Sequence, residues 1–314
     1  MILSITLNAA VDKTYRVQHF AIDRVHRPSE ARILAGGKGI NVARIYRTLG
    51  GEAIASGFLG GYNGRFIAQA LKEEGITGEF VRTKEESRIC VAIVDEAADT
   101  QTELNELGPH VSKSEIKAML TTFRKLLSEN TFEFVTFSGS IPPGVPDTIY
   151  ADLIGIAREA GVRTVLDASG IPLKHGLDAR PWMVKPNIFE LASLLDGQPS
   201  DIDEVAQAAR SIAGDGVEVV CVTLGKRGAV CVANGRTWVA IPPVIRFISA
   251  VGSGDSFVGA FLWALGKKQN MPSALRLAVG AGTANAAVHG SGYCTGDQIH
   301  NMSEGVEIFE LPVK

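Results

Sequence analysis

The sequence predicts an α/β fold in which a mostly parallel central sheet is covered by helices on both faces. Three observations carry this. Strand-like and helix-like segments alternate through most of the 314 residues, as crossover-connected parallel strands require. The run Val217-Glu218-Val219-Val220-Cys221-Val222-Thr223-Leu224 is almost continuously apolar, the pattern of a strand buried on both faces. Two regions, Thr14 to Leu34 and Arg88 to Leu107, interrupt the alternation with β-branched residues and no helical period. They predict a small separate sheet folded back as a lid over one edge of the main one; edge hairpins of the main sheet are the alternative.

Taken in order, Met1 to Leu7 forms the first strand, and Gly39 to Leu49 is a helix entered from a glycine turn. A strand at Ala53 to Phe58 and a helix at Gly64 to Glu74 complete the first crossover unit, where a period of two gives way to apolar spacing of three and four. Helices at Lys113 to Leu127 and Pro146 to Glu159 flank a strand at Phe134 to Ser138, and strands follow at Thr164 to Asp167 and Trp182 to Lys185. Helices at Ile188 to Leu195 and Ile202 to Ala213 lead into the buried strand at Val217 to Leu224. Two helices, Ser256 to Leu265 and Pro272 to Val288, end the pattern. No repeat or low-complexity linker divides the chain, so one domain over 1–314 is expected, with the lid drawn from about residues 12–35 and 87–107.

Bulk properties narrow the function. A formal net charge of -3 with scattered Lys and Arg offers no basic field for nucleic acid. The longest apolar stretch, Phe257 to Leu265, is far short of the roughly 20 residues that span a bilayer, and the start of the chain lacks a secretory leader pattern. Cys90, Cys221, Cys231 and Cys294 show no C-x-x-C spacing, so free thiols are expected rather than zinc ligands or disulfides. A cytoplasmic protein with no nucleic-acid or membrane partner fits these features.

Four segments carry the chemistry. Ala250-Val251-Gly252-Ser253-Gly254-Asp255-Ser256-Phe257-Val258-Gly259 joins a glycine turn to a helix start and puts a carboxylate there. Unpaired N–H groups and the positive end of the helix dipole favour a phosphate at such a point, and Asp255 is placed to take a proton from an attacking hydroxyl. A tight turn with Asp255 capping a helix that begins at Ser256 accounts for the same residues. Ala35-Gly36-Gly37-Lys38-Gly39-Ile40-Asn41-Val42-Ala43 is a second glycine turn, with a cation for phosphate and an amide for sugar hydroxyls. It lacks Walker A spacing, and Gly252-Ser253-Gly254 does not continue as G-x-G-x-x-G. Lys185-Pro186-Asn187-Ile188-Phe189-Glu190 puts an amide and a carboxylate one helical turn apart at a strand end; magnesium held through water, or a capping box, explains the pair. Thr223-Leu224-Gly225-Lys226-Arg227-Gly228 ends the buried strand as a nucleotide-side loop or a hairpin turn.

In this order along the chain, together with Thr6-Leu7-Asn8-Ala9-Ala10-Val11-Asp12, Ser87-Arg88, Thr102 to Pro109 and Ser138-Gly139-Ser140-Ile141-Pro142-Pro143-Gly144, these segments resemble the ribokinase-like carbohydrate kinases of the PfkB family. The resemblance spans essentially the whole chain and lies nearest the 1-phosphofructokinase and tagatose-6-phosphate kinase branch. It implies a three-layer α/β/α fold with a β lid used for dimer contact, ATP and Mg2+ as cofactors, and a sugar phosphate as substrate. It further implies Asp255 as general base, with Gly252, Ser253 and Gly254 as the anion hole. Asp12, Gly37 and Asn41 would hold sugar hydroxyls; Lys38 and Arg88, with Arg27, would bind the phosphate already on the sugar, and Ser138 lies in a substrate-side motif. Lys185, Asn187 and Glu190 would organise magnesium and the ATP phosphates, with Thr223, Gly225 and Gly228 on the ATP side and Asn285 in a small-residue helix beside the nucleotide.

The chain departs from the family pattern at two places. Asn8-Ala9-Ala10 carries Ala where the family has Pro, and Ser249 stands where potassium-activated members have Asp, so no monovalent-cation requirement is expected. The resemblance implies phosphorylation of fructose 1-phosphate to fructose 1,6-bisphosphate, with tagatose 6-phosphate and fructose 6-phosphate as rival substrates. A catalytically silent sugar-phosphate sensor on the same fold is the reading of another class.

Overall fold

The computed structural model of the chain describes residues 1–195 and 197–312. The first half runs β1 (Ile2–Thr6), β2 (Ala10–Val17), β3 (Glu30–Gly36), α1 (Lys38–Thr48), β4 (Ala53–Gly60), α2 (Gly61–Glu73), β5 (Thr77–Thr83), β6 (Arg88–Asp95), β7 (Thr100–Asn105), α3 (Lys113–Glu129) and β8 (Phe134–Ser138). It continues with α4 (Ile149–Glu159), β9 (Arg163–Asp167), α5 (Gly170–Asp178), β10 (Met183–Val184), α6 (Ile188–Ala192), α7 (Ile202–Gly214) and β11 (Val219–Thr223). A single 3₁₀ turn, Gly225–Arg227, leads to β12 (Ala229–Ala233), β13 (Arg236–Ile241), α8 (Ser253–Gly266), α9 (Met271–Ala286), α10 (Gly296–Glu304) and β14 (Glu307–Leu311).

The large sheet has the order β14-β13-β12-β11-β10-β9-β8-β1-β4-β5. Pairing is parallel from β5 through β11 and antiparallel from β11 to β14. The expected parallel core is there, extended by an antiparallel wing that the helix-strand alternation does not announce. Two apolar clusters cover the two faces. Ile2, Phe134 and Cys221 pack with α1, α8 and α9, whereas the alternate residues Leu3, Val135 and Val220 pack with α3, α4 and α7. β1, β8 and β11 are almost wholly buried because both faces carry helices. Among the described residues no helix is long and apolar enough to cross a membrane.

The second sheet, ordered β3-β2-β6-β7, draws on the two segments that lacked helical period. Its register sorts chemistry by face. Leu34, Asp12, Cys90 and Asn105 form one transverse row, and Arg32, Thr14, Ala92 and Glu103 the next; both rows line the cavity between the sheets. The alternating residues Tyr15, Ile33, Ile93 and Leu104 belong to the opposite face, where Ile33 is 49% and Leu104 62% exposed.

Several expected bounds shift. α4 starts at Ile149 because Pro146 to Thr148 form a turn, and α6 stops at Ala192. α8 starts at Ser253, three residues before the expected start. β5, β12, β13 and β14 and helices α5 and α10 have no counterpart in the sequence reading. β5 is an edge strand whose exposed side chains are polar, so it lacks the apolar run by which buried strands are recognised.

Candidate active site

The site forms where the carboxyl edge of the parallel strands meets the small sheet, in a cavity of about 1250 Å³. Its centre is the turn into α8. Gly252 is left-handed, with φ 82°, and a Cβ there would lie 2.6 Å from Ser291 Cβ; both facts require glycine. The first helical bond of α8 closes from Ser256 N–H to Gly252 O at 2.8 Å, and Ser253 N–H is held by Ala250 O at 3.1 Å, which leaves the N–H groups of Gly252 and Gly254 to face an anion. Asp255 is therefore the third helical residue, and the sequence alternative in which it caps a helix starting at Ser256 is corrected. Its carboxylate is 5% exposed and accepts from Asn41 Nδ2 at 2.8 Å. Burial pushes its pKa up to about 6 against the pull of Lys38, with Asp167 adding to the rise and the Asn41 bond opposing it.

Asp12 reaches the cavity from β2. A Cβ at Gly36 would fall 2.0 Å from Asp12 Oδ2, so the bare glycine backbone is what admits this carboxylate. Burial pushes its pKa up to about 6, opposed by Arg88 and Arg44. Arg88 lines the cavity beside it, its guanidinium donating to Asn8 O and Glu106 O, both at 3.1 Å.

A cluster of opposite charges closes the other side. Lys38 Nζ lies 3.1 Å from Asp167 Oδ1 and 3.7 Å from Glu190 Oε1, and Lys185 Nζ lies 3.2 Å from Asp167 Oδ1. Asp167 raises the Lys38 pKa, and although burial pushes Asp167 upward, Lys185 and Lys38 together hold it below the usual carboxylate value. A Cβ on Gly254 would stand 3.3 Å from Lys185 Nζ, so this ammonium abuts the positive end of α8. Two ammoniums beside a helix N-terminus are favourable only when anions share the space; Asp167 supplies one, and a phosphate chain would supply more.

Asn187 Oδ1 accepts from Phe189 N and Glu190 N at 2.9 Å each, and Glu190 Oε2 accepts from Asn187 N at 2.8 Å. The capping box is thus formed, and it engages the Asn187 oxygen with two backbone N–H groups. A divalent cation would find Glu190 Oε1 and the buried Asp167 Oδ2, which has no hydrogen-bond partner. Two carboxylate oxygens with no third His, Cys, Asp or Glu among the described residues suit magnesium, which keeps waters and binds substrate phosphates.

Thr223, Gly225 and Gly228 line the same cavity, as do Gly282 and Thr283 of α9. The turn is the β11–β12 hairpin, the second of the two sequence alternatives. Gly37, Lys38, Asn41, Lys185, Gly252, Ser253 and Gly254 all reach the same cavity. Other expected positions do not. Arg27 is exposed on the connection between β2 and β3, outside the cavity lining. Ser138 is buried at the end of β8 with its hydroxyl unpaired. Asn285 sits behind the cavity wall as a clamp, donating to Val251 O at 2.8 Å and Ser253 Oγ at 3.2 Å. Two participants escaped the sequence reading. Asp167 had a signal, a carboxylate ending a parallel strand at the sheet edge where ligands bind. Arg44, one turn beyond Asn41, looks from the sequence like an ordinary helix-surface residue.

The chain is similar to known proteins over nearly its whole length. The model of the pfkB family carbohydrate kinases matches residues 2–298. A tagatose-6-phosphate kinase of Staphylococcus epidermidis is 35% identical over 314 residues, covering 99% of this chain and 100% of its own. Phosphofructokinase-2 from Escherichia coli, solved with substrates and products, superposes with TM-score 0.89 at 29% identity over 96% of this chain and 98% of that one. A Thermotoga maritima structure described as "Possible 1-phosphofructokinase" gives TM-score 0.90 at 26% identity, covering 99% and 100% of the two chains. With its ribokinase-like three-layer fold, the chain belongs to the pfkB family of carbohydrate kinases, phosphotransferases that act on a sugar hydroxyl.

Proposed function

We propose that this enzyme uses ATP and Mg2+ to phosphorylate a ketohexose that already carries one phosphate, with fructose 1-phosphate as the first substrate and fructose 1,6-bisphosphate as product. The observation that carries the reading is the buried Asp255 carboxylate at the first turn of α8, beside an anion-favouring helix end and across the cavity from Arg88. The sugar hydroxyl gives its proton to Asp255 as its oxygen attacks the terminal phosphorus of ATP. The bond from that phosphorus to the bridging oxygen breaks, and ADP leaves with the electron pair. The backbone N–H groups of Gly252 and Gly254 and the Lys38 and Lys185 ammoniums take up the charge on the moving phosphoryl group. Magnesium, when bound by Glu190 and Asp167 through water, supplies further neutralisation of the phosphate chain.

Asp12, Gly37 and Asn41 orient the sugar, and Arg88 binds its existing phosphate. Lys38 is shared between the two substrates, since its ammonium already stands among the nucleotide-side carboxylates. The Thr223 to Gly228 turn receives the nucleotide. The apolar outer face of the small sheet, with Ile33 and Leu104 exposed, supports dimerisation through that sheet.

Tagatose 6-phosphate is the second reading, favoured by the name of the 35% identical relative. A coupled ADP-release assay over fructose 1-phosphate, tagatose 6-phosphate, fructose 6-phosphate and the unphosphorylated sugars decides between them by kcat/KM. The expected order places a phosphorylated ketohexose at least about 100-fold above any free sugar, the weight of a charge-assisted site left unpaired. Equal use of free sugars would remove the phosphate-binding role, and no turnover with any sugar would favour a silent sensor.

A further inference from the structure

Arg44 is 5% exposed on α1 and does not line the cavity, yet every face of its guanidinium is occupied. Nη1 donates to Asn41 Oδ1 at 2.7 Å and to Ser291 O at 3.1 Å, and Nη2 donates to Ala35 O at 2.8 Å. Glu74 receives Nε at 2.7 Å and Nη2 at 3.2 Å, and the Tyr293 ring lies 4.3 Å below the guanidinium carbon while its hydroxyl donates to Glu74 at 2.7 Å. A planar five-donor fork is the one side chain that can hold acceptors from so many directions.

Two of these bonds lead to the reacting groups. An Asn amide turned by 180° exchanges donor for acceptor. By donating to Asn41 Oδ1, Arg44 fixes the orientation in which Nδ2 faces Asp255, 2.8 Å away. The second path begins at Ser291 O. The next residue, Gly292, donates its N–H to Asn285 Oδ1 at 2.7 Å, and the Asn285 amide donates to Val251 O and Ser253 Oγ on either side of Gly252. Ser291 itself packs against Gly252, where no Cβ would fit.

We propose that Arg44 is a positioning residue that holds the Asn41 amide and the 289–293 loop, and through them sets the Asp255 carboxylate and the Gly252 turn in one geometry for phosphoryl transfer. It acts at a distance from the substrates and rests on the reading of Asp255 as the base. Without Arg44 the Asn41 amide is free to turn its oxygen towards Asp255, which favours the protonated acid. The other groups facing Asp255 are Lys38 of α1, Lys185 after β10, Asp167 of β9 and Asp12 of β2, and none of them replaces a directed donor on the Asn41 side.

The test uses the full chain with Arg44→Gln and Arg44→Lys, each compared with Asp255→Asn and Tyr293→Phe. Hydrogen exchange is followed on peptides covering 249–257 and 287–295, and kcat/KM is followed against pH. Arg44→Gln is expected to exchange faster in those two peptides while the strands of the large sheet keep their protection. Its kcat should fall about 10- to 100-fold, the effect of a reacting group displaced by a fraction of an ångström to an ångström. The KM for ATP should stay within about threefold, and the acid limb should move to higher pH. Arg44→Lys, which keeps the charge and a single donor nitrogen, should recover part of the limb, and Tyr293→Phe, which keeps the ring, should stay near wild type. Unchanged exchange in both peptides, or faster exchange spread evenly over the chain with no movement of the limb, would overturn the proposal. If Arg44→Gln does not fold, Arg44→Lys carries the same two readouts. An Asp255→Asn enzyme that keeps its turnover refutes the base instead, and the exchange result then judges the Arg44 clamp by itself.

Discussion

Asp255 is a buried carboxylate and Asp12 a half-buried one, and desolvation pushes the pKa of each up to about 6. A base works only when deprotonated, so kcat/KM is expected to climb with pH through about 6 and level off above it, which a pH–rate profile with a phosphorylated ketohexose checks. The same burial bears on stability. A carboxylate raised from its ordinary 3.8 to about 6 binds its proton more tightly folded than unfolded. Its stabilising share is therefore complete below about pH 4 and lost as pH rises through about 6, at a cost near 3 kcal/mol. Asp255→Asn should thus unfold at a higher temperature than wild type at pH 8 and lose that advantage towards pH 4, as thermal melts would show. At Arg88→Ala the KM for the sugar phosphate should rise about 10- to 100-fold with that for ATP little changed. Lys38→Ala should weaken both substrates and lower kcat, because its ammonium stands among Asp167 and Glu190. At this scale the sequence was legible wherever chemistry and turn geometry coincide, as at Asp255, Asn41 and Lys38. Asp167 carried only the signal of its strand end, and Arg44 was hidden because the Ser291 and Glu74 contacts that bury it lie far along the chain.

Among the elements, the turn into α8 does the most. Gly252 sits at φ 82° against Ser291, so Gly252→Ala meets both left-handed strain and a clash. It is expected to lower the unfolding free energy by about 1–3 kcal/mol and to lower kcat more than either KM; paired denaturant melts and steady-state kinetics separate the two effects. The start of this helix was misplaced by three residues in the sequence because a left-handed glycine cap has no side-chain signature, whereas Asp255 resembles one. The Asn187 and Glu190 capping box was legible because both members of the motif are local in sequence. The antiparallel wing was not, since β12, β13 and β14 are joined without intervening crossover helices except α8 to α10, and the alternation rule has nothing to count there.

For the molecule as a whole, period alone marked 14–34 and 88–107 as strands, and the structure decides for a separate sheet over edge hairpins of the main one. What the sequence withheld is which face of the small sheet turns inwards. The register puts Asp12, Thr14 and Glu103 on the cavity side and leaves Ile33 and Leu104 outside. A dimer through that face predicts twice the chain mass by light scattering, and Leu104→Glu should shift the population towards monomer. On the proposed function, closing the cavity between two sheets would let one polar row meet the sugar while the α8 turn meets the phosphates, with phosphoryl transfer turning on a single carboxylate. Turnover of Asp255→Asn on the best phosphorylated ketohexose tests this most directly. The expected result is a fall in kcat of about 100- to 10,000-fold with substrate KM values largely kept, and turnover within a few-fold of wild type would contradict it.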